Sequence, residues 1–191
     1  MKKICFGCLL LIVAKSSLGY EKIEYPTVRK QLLQMFTNDQ NYLKQGRKQS
    51  DSDNVLYENT EKLKKIIAKI GWPTKDKVGR DGANSAWAIV QHADHDRKFQ
   101  RKILLMMKPF VETKEIEPSE YAYLYDRVHV PQRFGTQGKC LDNRWEPREI
   151  EDEENLEARR KKFGMEPMAE YKLIVWKYGC QKFNSKINKR E

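Results

Sequence analysis

The stretch from residue 63 to residue 110, LKKIIAKIGWPTKDKVGRDGANSAWAIVQHADHDRKFQRKILLMMKPF, holds three apolar stripes of helical period separated by two breaks. Leu56, Leu63, Ile66, Ile67 and Ile70 share one face of a helix that stops at Gly71, which accepts a left-handed cap, ahead of Pro73, which cannot continue the hydrogen-bond ladder. Ala83, Ala86, Trp87 and Val90 form the second stripe, whose small residues let a helix approach its neighbours closely, so this helix is expected to be the most buried. A polar break runs from His92 to Arg97. Phe99, Ile103, Met106, Met107 and Phe110 then mark a further core-facing helix, its Met and Phe residues reading as packing rather than as a cofactor box.

Upstream, Val28, Leu32, Met35, Phe36 and Leu43 recur at helical spacing from Pro26 to about Lys44, with Pro26 suited to a first turn. The polar stretch 45–54 has no apolar period and reads as a surface loop. Downstream, Pro118 opens a short helix with Ala122, Leu124, Tyr125 and Val128 facing inward. After Pro131, residues 133–137 and 139–141 are strand-forming, and Asp142-Asn143 supplies a turn before Arg144-Trp145, which predicts a β-hairpin or small meander. Asp152 starts another helix, with acids in its first turn, Arg159 to Lys162 in its last and Gly164 beyond, matching the macrodipole at both ends. The segment from Tyr171 to Tyr178 is apolar and β-branched and reads as a late strand. The expected fold is mainly α (α+β): a compact bundle of about five to six helices with a small hairpin.

The chain has 191 residues, enough for one core, so residues 20–178 are expected to form a single domain. Lys2 and Lys3 precede an apolar run from Leu9 to Ala14, and Ser17-Leu18-Gly19 offers a small-residue cleavage site, the pattern of a signal peptide over residues 1–19 and of a secreted product. The apolar stretch from Ile4 to Ala14 falls well short of the roughly 20 residues that span a bilayer. Cleavage removes Lys2, Lys3 and Lys15 and no acid, taking the formal net charge from +10 to +7. Such a balance draws a protein towards anionic extracellular surfaces, although part of it lies in a basic tail over residues 179–191 that carries Lys182, Lys186, Lys189 and Arg190. No nucleic-acid-binding module is recognisable. Cys140 and Cys180 are the two cysteines left after cleavage, and an even pair in an oxidising compartment points to a disulfide, with two separate thiols as the alternative.

A series of short words runs through this frame: Leu33 and Asp39-Gln40, then Gly71-Trp72-Pro73-Thr74, Ala86-Trp87, Gln91-His92-Ala93-Asp94, Gln100, Asp126-Arg127, Gln132 and Phe134-Gly135-Thr136-Gln137. In order and spacing they resemble the family known as domain of unknown function six-six-two-four (DUF6624), whose corresponding words are DQ, GWPT, QHAD, L-x-DR and Q-x-YGTQ. Ile150-Glu151-Asp152, Arg159-Arg160, Gly164 and Glu170-Tyr171 resemble its closing stretch, so the likeness covers roughly residues 28–171. Phe134 stands where the pattern carries Tyr, and the segment beyond Tyr171 stands outside it. The resemblance implies a set of candidate residues and no reaction.

Buried polar side chains must be paired, so this set either cross-links helices or lines a pocket. His92 is the acid–base candidate, because an imidazole beside a carboxylate can hold a defined tautomer, and Asp94 and Asp126 are the carboxylates proposed to work with it. Asp39, Gln40, Gln91, Gln132 and Gln137 are the candidate ligand-binding residues, together with Arg127, whose planar fork suits a carboxylate or phosphate; its structural reading is an ion pair with Asp39 or Asp94. His92, Asp96 and Asp126 could share a cation, a weaker reading because no further His or Cys spacing reinforces it. His95 and His129 read as surface histidines, and Trp72 and Trp145 as core anchors. No Gly-x-Ser-x-Gly nucleophile elbow occurs. Gly135 offers a place where a ligand could approach the backbone. Two functions follow from these residues: a polar pocket between the third helix and the hairpin for a small anionic or amide-bearing molecule, or a non-catalytic interaction protein in which the same residues form an internal network.

Overall fold

The computed structural model describes residues 23–44 and 49–181; the signal-peptide segment and residues 182–191 of the basic tail lie outside them. Among the described residues the chain forms seven α-helices and one two-stranded antiparallel sheet. Helices α1 (Pro26–Lys44), α2 (Gln49–Ile70), α3 (Lys75–His92), α4 (Arg97–Thr113) and α5 (Pro118–Val128) make the bundle, and α3 packs most extensively, above all on α1. Its stripe of Ala83, Ala86, Ile89 and Val90 is buried against Leu32 and Met35 of α1, Leu63 and Ile66 of α2, and Ile103 and Met107 of α4. The small residues expected to bring this helix close to its neighbours do so, and Trp72 completes the same core.

Helix boundaries follow local chemistry. Gly71 takes a φ of +71° where α2 ends, and Asp96 caps α4 by accepting from the Phe99 N–H at 2.9 Å. Strands β1 (Gly138–Cys140) and β2 (Trp145–Pro147) pair with Cys140 opposite Trp145 and form the expected hairpin. A 3₁₀ turn at Glu153–Asn155 leads into α6 (Leu156–Lys162), so Asp152 sits before the helix in a left-handed conformation rather than inside it.

Two expectations need correction. Residues 49–54 are helical and belong to α2, because a helix satisfies its own backbone bonds and can run on through residues without an apolar period. The segment expected as a late strand is α7 (Met168–Val175) followed by a π turn over Trp176–Cys180. Its buried positions, Met168 and Tyr171, stand three apart as on one helical face, and Leu173 is 69% exposed. The turn delivers the fully buried Cys180 to β1, where its Sγ lies 2.04 Å from that of Cys140. Trp145, Leu156, Met168 and Tyr171 pack around it as a second small core.

Candidate functional site

The α3–α4 turn brings the first polar group together. His92 is the last helical residue of α3, and its Nδ1 lies 2.9 and 2.8 Å from the two carboxylate oxygens of Asp39, which α1 carries into the interface at 0% exposure. An ionised carboxylate only accepts, so this pairing puts a proton on Nδ1 and makes Nε2 the lone-pair nitrogen of the neutral ring. The imidazole is a quarter exposed, and Nε2 has no hydrogen-bond partner among the described residues. Gln40 donates to Asp39 Oδ2 at 3.0 Å. Gln91, in the amide orientation its surroundings demand, accepts from Trp87 Nε1 and the Leu124 N–H, both at 3.2 Å, and so ties α3 to α5.

Asp94, just past the turn, faces the other way. Arg127 at the end of α5 grips it with both arms, Nε to Oδ1 at 2.8 Å and Nη2 to Oδ2 at 2.7 Å, and places Nη1 3.3 Å from Gln137 Oε1. Burial alone would raise the Asp94 carboxyl, but the Arg127 fork and the nearby Arg97 hold it below the ordinary carboxylate range. Arg97 also donates to the Arg127 carbonyl at 2.8 Å. Gln100, wholly buried, donates to the Val90 carbonyl at 2.9 Å and so satisfies one of the last carbonyls of α3.

Asp126 is 1% exposed, and its hydrogen-bond partners among the described residues all come from the loop after α5. It accepts from the N–H groups of Arg133 at 2.7 Å, Phe134 at 3.0 Å and Thr136 at 2.8 Å, and from the Thr136 hydroxyl at 2.9 Å. Burial pushes its carboxyl up, against the pull of these donors. Gln132 is occupied in the same way: its amide nitrogen donates to the carbonyls of Gln137 and Arg148 at 2.9 and 2.8 Å, and its oxygen accepts from the Gln137 N–H at 2.8 Å. Gly135 has a φ of +71°, and a Cβ there would lie 3.1 Å from the Met168 side chain. What approaches that backbone is the protein's own core.

Apart from Gln91, which ties α3 to α5, the sequence candidates therefore separate into two constellations. One is Asp39, Gln40 and His92; the other joins Asp94, Arg127 and Gln137 to Asp126 and Gln132. No hydrogen bond or ion pair links His92 to Asp94 or Asp126 among the described residues. Of the three residues weighed for a cation, His92 faces Asp39, Asp96 pairs with Lys64 at 2.8 Å and caps α4, and Asp126 holds its loop. Of the two histidines read as surface residues, His95 is exposed, whereas His129 is half-buried and stacks on Tyr125.

Residues 26–182 match the family of unknown function DUF6624. The chain belongs to that family. The match runs past Tyr171 and takes in Cys180, so the segment beyond Tyr171, expected to stand outside the pattern, is part of the DUF6624 domain as far as residue 182. No curated protein and no solved structure matches the chain.

Sequence reasoning missed two buried ionisable residues of this DUF6624 chain. Arg160, at 0% exposure, donates to the carbonyls of Phe134 at 2.6 Å and Glu166 at 2.8 Å and lies over the Tyr171 ring. It was hidden in a basic run, although it stands one turn from the buried Leu156 and shares its face. Glu120 on α5 is buried beside α3, with its carboxyl raised to about 7 by burial and by the charge of Glu117.

Proposed function

We propose that the mature chain is a secreted protein that binds or acts on a small anionic or amide-bearing molecule, with His92 as its acid–base group. One observation carries this reading: Asp39, fully buried, holds Nδ1 of His92 through both oxygens, while Nε2 of the quarter-exposed imidazole has no hydrogen-bond partner among the described residues. A carboxylate behind an imidazole fixes its tautomer and ring orientation, the arrangement that general acid–base groups require. Asp94 and Asp126, proposed from sequence as its catalytic companions, serve here as anchors, since protein donors occupy them. The signal-peptide pattern and the two-cysteine pairing support the secreted part of the proposal.

A second reading, a non-catalytic interaction protein, draws on the same fully paired state of Asp126 and Gln132. His92→Gln separates the two. Under the first reading the variant melts within a few degrees of the parent, while turnover on a panel of aryl esters, aryl amides and phosphate esters drops by about 10²–10⁴-fold. Loss of stability with no activity in the parent towards any member of the panel would favour the second.

A further inference from the structure

A cavity of about 310 Å³ lies on a different face, between α4, α5, α6 and the loop that Asp126 holds. Its size is at the low end of the roughly 300–1,000 Å³ of small-molecule sites. Four aromatic residues line it: Tyr121, Tyr125, Phe134 and Phe163. Phe163 stacks on Tyr121 with the ring planes 29° apart and packs on Phe134 at 4.7 Å between centroids. Phe134 is itself immobilised, since Asp126 holds its N–H and Arg160 its carbonyl.

The charge around these rings is one-sided. Lys108, Arg133 and Lys162 line the opening, and Glu112 is the one acid among the lining residues. Among the described residues none of these three cations has an ion pair or side-chain hydrogen bond. Arg159, also in the lining, is already spent: it pairs with Asp152 at 2.9 Å and donates to the carbonyls of Arg133, Glu151 and Asp152. Pairing requirements inside the fold therefore do not account for Lys108, Arg133 and Lys162, which the chain brings from three separate elements to the rim of one aromatic cavity.

We infer that this cavity is a binding site for a small aromatic anion, a ring bearing a phosphate or carboxylate. The ring is taken by the aromatic wall of Tyr121, Phe134 and Phe163, and the anionic group by Lys108, Arg133 and Lys162 at the mouth. The inference does not depend on His92 or on the proposal made for it.

The test is calorimetric titration of the mature protein with phenyl phosphate, benzoate, inorganic phosphate and benzyl alcohol. Saturable binding of phenyl phosphate or benzoate is expected, at least about tenfold tighter than inorganic phosphate or benzyl alcohol, because ring and anion contribute together. Which of the two aryl anions binds more tightly identifies the anionic group. Arg133→Glu and Lys108→Glu, both at exposed side chains, should each weaken it by about tenfold or more while the melting temperature stays within a few degrees. Phe163→Ala should weaken the aryl anions and leave inorganic phosphate unchanged. The inference is overturned if neither aryl anion saturates, if inorganic phosphate binds as tightly as both, or if the charge reversals leave the affinity unchanged.

Discussion

Asp126→Asn replaces one carboxylate oxygen by an NH₂ group and changes no volume. The two oxygens of Asp126 face three backbone N–H groups and one hydroxyl. If the Asn oxygen takes the Oδ1 position it keeps Arg133 and Phe134, but the NH₂ then points at the Thr136 N–H; turned over, it keeps Thr136 and, at 3.2 Å, Phe134, but abandons the Arg133 N–H. At best one buried N–H loses its partner, at about 1–3 kcal/mol, and the surviving bonds fall from charge-assisted to neutral strength. Relief from burying a charge offsets part of this, so a net loss of about 3 kcal/mol is expected, or roughly 6–12 °C in Tm for a chain of this length. Hydrogen exchange localises it: the amides of Phe134 and Thr136 should lose protection before those of α3. Because Asp126 and His92 share no partner among the described residues, combining Asp126→Asn with His92→Gln should be additive to within about 0.5 kcal/mol. A Tm within a degree of the parent, unchanged protection at Thr136, or coupling well above that margin would each refute the reasoning.

Glu120 sets a pH dependence. Its folded carboxyl titrates at about 7 against an ordinary value of 4.5, so between those values the folded state keeps a proton that the unfolded state has lost; this contribution is fully present below the unfolded value and is lost as pH rises through about 7, by up to about 3 kcal/mol. Denaturant titrations at about pH 5 and pH 8 should show that slope flattened in Glu120→Gln, and an unchanged slope would count against it. Cys140 and Cys180 close a separation of 40 residues, so replacing both by Ser should cost up to about 4 kcal/mol, and non-reducing peptide mapping of the parent should recover the two half-cystine peptides linked.

The bundle was legible because its helices bury continuous stripes with conspicuous stops, Gly71 and Pro73 above all. The last helix was misread because its composition is that of a strand: Ile174, Val175, Trp176 and Tyr178 suit a pleated sheet, and β-propensity reports packing context rather than backbone preference. Its true period was present one turn earlier. Met168, Tyr171 and Val175 recur at three and four residues, and a window opened at Met168 rather than at Tyr171 would have found a helix. Arg160 was missed for a related reason, since a run of four basic residues conceals the phase that puts one of them on the face of Leu156.

The site was less legible than the fold, because sequence order does not say whose valences are filled. His92 and Asp94 are two residues apart, yet the turn at Ala93 sends one towards α1 and the other towards the end of α5. Asp126 and Arg127 are adjacent, and they too divide, the first serving the loop after α5 and the second gripping Asp94. Apart from Asp39-Gln40, which lies inside α1, these polar words sit where one element ends and must be tied to another, which is where backbone donors and acceptors lack helical partners. A polar word at a junction is therefore expected on structural grounds alone, and function has to be argued from what remains after those demands are met. For Asp126 and Gln132 nothing obvious remains among the described residues, since protein donors meet both oxygens of Asp126 and protein groups meet both the oxygen and the nitrogen of Gln132. For His92 one nitrogen remains among the described residues, and that remainder could be counted only once Asp39, 53 residues away, had been placed against its other side.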